Sequence, residues 1–88
     1  MKRIVFSPHA LEQIALRGGT EDEVLATISE GERLPTKLGR TAIRKNFPFR
    51  SEWKGRYYEI KQVMPIVVEE DDTVVVVTVY VFYFGGVQ

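Results

Sequence analysis

At 88 residues, with 44% hydrophobic and 27% charged side chains, the chain is too apolar to be disordered and too short for two domains. It contains no cysteine, which excludes a disulfide framework and a thiolate metal site and points to a reducing cytoplasm. Its formal net charge of zero conceals a division: from Glu32 to Lys61 there are nine bases against three acids, and the remainder carries three bases against nine acids.

Taken in chain order, Lys2 to Phe6 alternates weakly and reads as a short strand, and Met1 to Phe6 holds no apolar run of signal-peptide length. Ser7-Pro8 then marks a helix start, Ser7 as N-cap and Pro8 at the first helical position. This helix is expected to reach Arg17, with Leu11, Ile14 and Ala15 on its buried stripe and His9, Gln13 and Arg17 on the outward side. Gly18-Gly19 ends it. Thr20-Glu21-Asp22-Glu23 is a capping box that opens a second helix, whose three first-turn acids suit the positive end of the helix dipole. Val24, Leu25 and Ile28 supply its apolar stripe before Gly31.

Glu32 to Leu38 is polar and broken by Pro35, so it is expected as a loop or irregular edge. Thr41 to Phe47 reads as a strand stopped at Pro48, and Ser51 to Gly55 as a connection. Arg56 to Val68 is a long strand in which Pro65, lacking a ladder donor, calls for a bulge or an edge-facing position. Glu69 to Asp72 turns the chain into Thr73 to Phe84, a β-branched and aromatic run without alternation that is expected as an interior strand. In simple alternation Thr78 and Tyr80 share a face with Val74, Val76 and Phe82, and Tyr83 falls on the other. At twelve residues this run is too short to cross a bilayer as a helix, and the protein is expected to be soluble, with no membrane partner.

The expected architecture is thus α+β and two-layered in one domain, residues 1–88. A short N-terminal strand is followed by two helices and a three-stranded antiparallel meander, with the N-terminal strand beside Thr73 to Phe84.

Several residues are candidates for chemistry. His9 is the only histidine, and its side chain exchanges protons near neutrality; a first-turn polar residue bonded to the neighbouring loop is the more ordinary explanation of it. Arg17 shares its helix stripe and suits either an anion or the helix C-terminus. From Arg44 to Lys61, bases interleave with aromatics: Arg44, Lys45, Phe47, Phe49, Arg50, Trp53, Lys54, Arg56, Tyr57, Tyr58 and Lys61. That combination serves single-stranded nucleic acid, with cations for the backbone and ring faces for bases, but a structural or protein-binding surface is the more ordinary reading of it. Lys61 stands mid-strand in an apolar run and needs water, a partner or a ligand. One histidine and no cysteine argue against a metal site, and no Gly-rich phosphate loop points to a nucleotide cofactor, so none is expected.

Pro8-His9-Ala10, Leu16-Arg17-Gly18-Gly19-Thr20 with Val24, Lys61-Gln62-Val63 and Val76-Val77-Thr78-Val79-Tyr80 together resemble a bacterial domain family of unassigned function. That family shares the RelE/ParE-like toxin fold and is similar to BrnT-type toxins. Its pattern has an arginine where Gln13 stands and an aliphatic residue where Gly19 stands. The resemblance implies a β-α-α-β-β-β, RelE-like fold and a toxin of a toxin-antitoxin pair that binds or cleaves RNA. It further implies a metal-independent endoribonuclease in which the RNA's 2′-hydroxyl is the nucleophile. On that reading His9 and Lys61 are the catalytic candidates, and Arg17, Arg44, Lys45 and Arg56 the phosphate-binding ones. The partners are RNA and an antitoxin protein. The alternative is a non-catalytic module of the same fold that binds a protein or forms a homodimer, for which the apolar tail Val81 to Val87 offers an edge or patch.

Overall fold

The computed structural model describes residues 2–86. The chain runs β1 (Arg3–Phe6), α1 (Pro8–Arg17), α2 (Glu21–Glu30), β2 (Glu32–Pro35), β3 (Thr41–Trp53), β4 (Arg56–Glu69) and β5 (Thr73–Phe84). The fold is α+β, but the sheet has five strands where three were expected in the meander, in the order β1-β5-β4-β3-β2. The antiparallel β3-β4-β5 meander forms its centre. β1 lies beside β5 as anticipated, in parallel, from Arg3 opposite Thr73 to Phe6 opposite Val76.

The added strand is β2. Glu32 to Leu38 was expected as a loop or irregular edge; its first four residues form the edge strand, paired antiparallel with Thr41 to Arg44. Pro35 is tolerated because β2 is the outermost strand, where a missing N–H costs no ladder bond. The same reasoning corrects the end of β3. Pro48 does not stop it; beyond Arg44 no strand flanks β3 on its outer side, and the strand continues to Trp53 with Pro48 opposite Ile60. One residue is inserted between Pro48 and Ser51, where Arg50 takes a left-handed φ of 46°. The expected Ser51 to Gly55 connection shrinks to Lys54-Gly55, both at positive φ, as a two-residue hairpin turn with the hand of the sheet twist requires.

Pro65 is buried in the middle strand and not at an edge. The β3–β4 pairing skips Ile43 and Arg44, opposite Met64 and Pro65, where the proline has no donor to give. The irregularity lies nearby: Ile66 faces Thr78 but Val67 faces Val76, so Val77 is an extra residue in β5. This bulge resets the alternation. Val74, Val76 and Val79 are all buried toward the helices with half-buried Val81 and Tyr83, whereas Thr78, Tyr80, Phe82 and Phe84 turn to the opposite face. The simple alternation expected from the sequence is therefore wrong from Val77 onward. β5 is interior only as far as Val76; its remaining length has β4 on one side and α1 along the other. Val87, the last residue of the expected apolar tail, lies outside the described residues.

Both helices cover one face of the sheet, α1 over β5 and α2 over β3 and β4. The Ser7 hydroxyl accepts from the Ala10 amide and donates to the Val77 carbonyl, so one side chain caps α1 and satisfies the bulge. That anchoring rotates α1 from its expected orientation: Ala10 and Ile14 are buried, whereas Leu11 and Ala15, assigned to the core by periodicity, are exposed. In α2 the capping box is formed, Val24 and Thr27 are buried, and Leu25 is exposed where burial was expected. The core joins Ala10, Ile14 and Val24 to Ile43, Val63, Val67, Val74, Val76 and Val79.

At the distal end the helix layer gives way to aromatic rings. Trp53 stacks on Tyr83 at 5.1 Å, Phe49 meets it edge-on at 5.1 Å, and Tyr58 lies 5.6 Å away. The α1 C-cap Gly18, at φ 75°, rests on this cluster, and a Cβ there would come within 2.6 Å of both Trp53 and the Tyr83 hydroxyl. Gly18→Ala combines left-handed strain with this clash and is expected to cost about 2–3 kcal/mol, measured as a lower urea midpoint at unchanged m-value. A loss below half of that would show that the aromatic end yields.

Candidate functional site

Two sets of candidate residues emerge, and the fold separates them. The first follows α1 along the free side of β5. His9 Nε2 and Thr78 Oγ1 are in hydrogen-bond contact at 3.1 Å, the direction following the imidazole tautomer. Two turns on, Arg17 Nη1 donates to the Val79 carbonyl at 2.8 Å, and its guanidinium lies 4.9 Å from the centre of the Tyr80 ring. Tyr80 stacks with Phe82 at 6.2 Å. Arg17 thus closes a strand edge that no neighbour pairs, while most of its N–H donors stay uncommitted. His9 is exposed and Arg17 half-buried, so both border solvent. Thr78 and Tyr80 were not among the expected site residues; their signal was polarity within a valine run, and the Val77 bulge hid which way they point.

The second set is the basic block, and among the described residues five of its nine bases, Lys61 included, are in ion pairs within the chain. Arg44 pairs with Glu32 at 2.8 Å, Lys45 with Glu30 at 3.5 Å, Arg50 with Glu59 at 3.8 Å and Arg33 with Glu69. Arg44 lies on the helix-free face with Glu32, and Lys45 on the helix face, 5.5 Å from the Phe47 ring centre. Both are on β3, two strand spacings or roughly 10 Å across the sheet from β5. Arg56 is exposed at the start of β4, beside the distal hairpin. The structure therefore brings His9 and Arg17 to one seam and leaves Arg44, Lys45 and Arg56 apart from it. A hollow of about 600 Å³ opens near Pro48, Ile60, Arg50 and Glu59, lined mainly by apolar atoms and likewise remote from His9.

Lys61 has a partner of its own. It is 6% exposed, its ammonium bonded to Glu23 Oε2 at 2.9 Å and to the Gly18 carbonyl at 2.9 Å, with the Phe49 ring 5.4 Å away. The other Glu23 oxygen accepts from the Thr20 amide in the capping box. One carboxylate serves a helix start and a buried cation together, which answers the demand that a charged residue made in an apolar strand. Nothing in the sequence linked Glu23 to Lys61. Among the described residues, no three histidine, cysteine or acidic side chains are grouped to hold a metal ion, and no helix is long and apolar enough to cross a membrane.

No family model, curated protein or solved structure matches the chain.

Two outcomes follow for this region. Glu23→Ala strands a buried ammonium and is expected to cost about 3 kcal/mol or more, whereas Lys61→Met leaves a carboxylate that water reaches and costs well under half as much; urea unfolding of both variants compares them, and equal losses would contradict the asymmetry. Tyr83 donates to the Arg17 carbonyl at 2.7 Å, and burial, reinforced by the charge of Glu23, pushes its phenol above the usual tyrosine range. A raised folded-state value means stability fully present below about pH 10 and lost as pH rises through the folded value. Tyr83→Phe should cost about 1 kcal/mol at neutrality and flatten this alkaline loss, as read from unfolding midpoints across alkaline pH.

Proposed function

We propose that this protein has a RelE/BrnT-like toxin fold and acts on RNA along the seam between α1 and β5. One observation carries the reading: the only histidine and an arginine of the same helix meet Thr78 and Tyr80, residues far along the chain, on a solvent-lined strip. His9 supplies an imidazole as proton acceptor, Thr78 orients its ring, and Arg17 offers donors to a phosphate. In such a cleavage the 2′-hydroxyl gives its proton to His9 and bonds to phosphorus. The 5′-oxygen leaves and takes a proton from solvent, yielding a 2′,3′-cyclic phosphate without a metal. The seam supports this better than the basic block does, because ion pairs within the chain already engage four of the block's cations besides Lys61.

The test uses end-labelled single-stranded RNA with a chelator present. Wild type should yield cyclic-phosphate ends, His9→Ala should lose about 100-fold or more in rate, and Arg17→Ala should weaken RNA retention and its salt dependence. Lys61→Met distinguishes a structural lysine from a catalytic one: cleavage persisting in a folded variant assigns it to structure, and cleavage lost returns it to the site. RNA that is neither retained nor cut by wild type refutes the proposal.

A further inference from the structure

The helices cover one face of the sheet and leave the other bare. Across it lie Val5 on β1, Val75, Tyr80, Phe82 and Phe84 on β5, and Ile60, Met64, Ile66 and Val68 on β4, the last four only half-buried. Phe82 is 44% exposed and Phe84 39%. Apolar surface of this extent is uncommon on a protein that functions alone. Its polar members near the middle are already satisfied within the chain: Gln62 donates to Asn46 at 2.9 Å, and Arg44 pairs with Glu32. Positive charge without an ion-pair partner among the described residues enters at the rim, at Arg3 and Arg17.

We infer that a second copy of this chain covers this face, sheet against sheet. A two-fold contact requires a patch complementary to itself, and an apolar centre with internally paired polar groups meets that condition, since superposing it on its own image sets no like charges together. A partner chosen by charge would need a counter-charge in the middle of the face, and none stands free there among the described residues. Size agrees as well. The chain extends 46 × 24 × 23 Å, the long axis matching strands of up to 14 residues, so the face offers on the order of 1,000 Å² against the ~800 Å² per partner of a standard interface. The sheet would then be apolar on both sides for a reason: one side is the core of the chain, the other the core of the pair. His9 and Arg17 lie at the rim of this face along α1, and the pairing rests on the apolar face alone, without any action on RNA.

Sedimentation across micromolar concentrations tests the inference. Wild type should run at twice the 10.1 kDa chain mass, and Phe82→Asp, which buries a charge in the interface, should run as a folded monomer with unchanged far-UV circular dichroism. Because the chain has no cysteine, single thiols report geometry even if that variant unfolds. Met64→Cys lies near the middle of the central strand, and stacked sheets stand about 10 Å apart, so a short bis-maleimide should couple two copies. Leu16→Cys, on the exposed side of α1, should not couple. A monomer at every concentration overturns the inference and leaves the face to a different protein, and a dimer that couples through Leu16→Cys but not Met64→Cys overturns it too.

Discussion

The ammonium of Lys61 is the point on which the two layers depend. It sits beneath the junction of the helices, donates to the carbonyl of Gly18, the C-cap of α1, and meets the Glu23 carboxylate that starts α2. A buried cation is costly unless each of its bonds is made, and here each bond ends on a different helix. The middle strand thereby fixes both helices at once, and the apolar core alone need not hold them in place. The distal aromatic cluster continues the arrangement, since Tyr83 donates to Arg17 O and Trp53 lies under Gly18.

A second constraint decides what the sheet presents. Val77, unpaired with β4, divides β5 into two phases. Before it, the strand has neighbours on both sides and its alternate valines meet the core; after it, the strand gains a free edge, and Thr78 and Tyr80 turn away from the core toward the α1 seam. Ser7 holds the bulge from outside by bonding the Val77 carbonyl while it caps α1. The placement of His9 beside Thr78 is therefore a consequence of one inserted residue and one hydroxyl.

Much of the fold was legible locally. Ser7-Pro8, Gly18 and the Thr20 to Glu23 capping box mark both helices by chemistry that acts within four residues, and the turn at Glu69 to Asp72 is equally short-range. The errors share a cause. Pro35 and Pro48 read as breaks because proline lacks a donor, but that lack matters only where a neighbouring strand would accept the bond. Leu11 and Ala15 read as buried because their spacing is helical, but the angle of α1 about its axis was set by Ser7 and Arg17 reaching β5.

The site followed the same division. His9 and Arg17 stood out in the sequence because a lone histidine and a helical arginine eight residues apart on one stripe are readable from spacing. Arg44, Lys45 and Lys61 stood out for their charge, yet charge in a sequence does not show whether an acid from elsewhere has already answered it. By itself the sequence determined which residues could be helix, strand and cap, since those preferences are properties of the residues and their near neighbours. Only the tertiary structure decided which cations remain free, where the bulge falls and which sheet face stays bare, because each depends on partners that the chain brings together from distant positions.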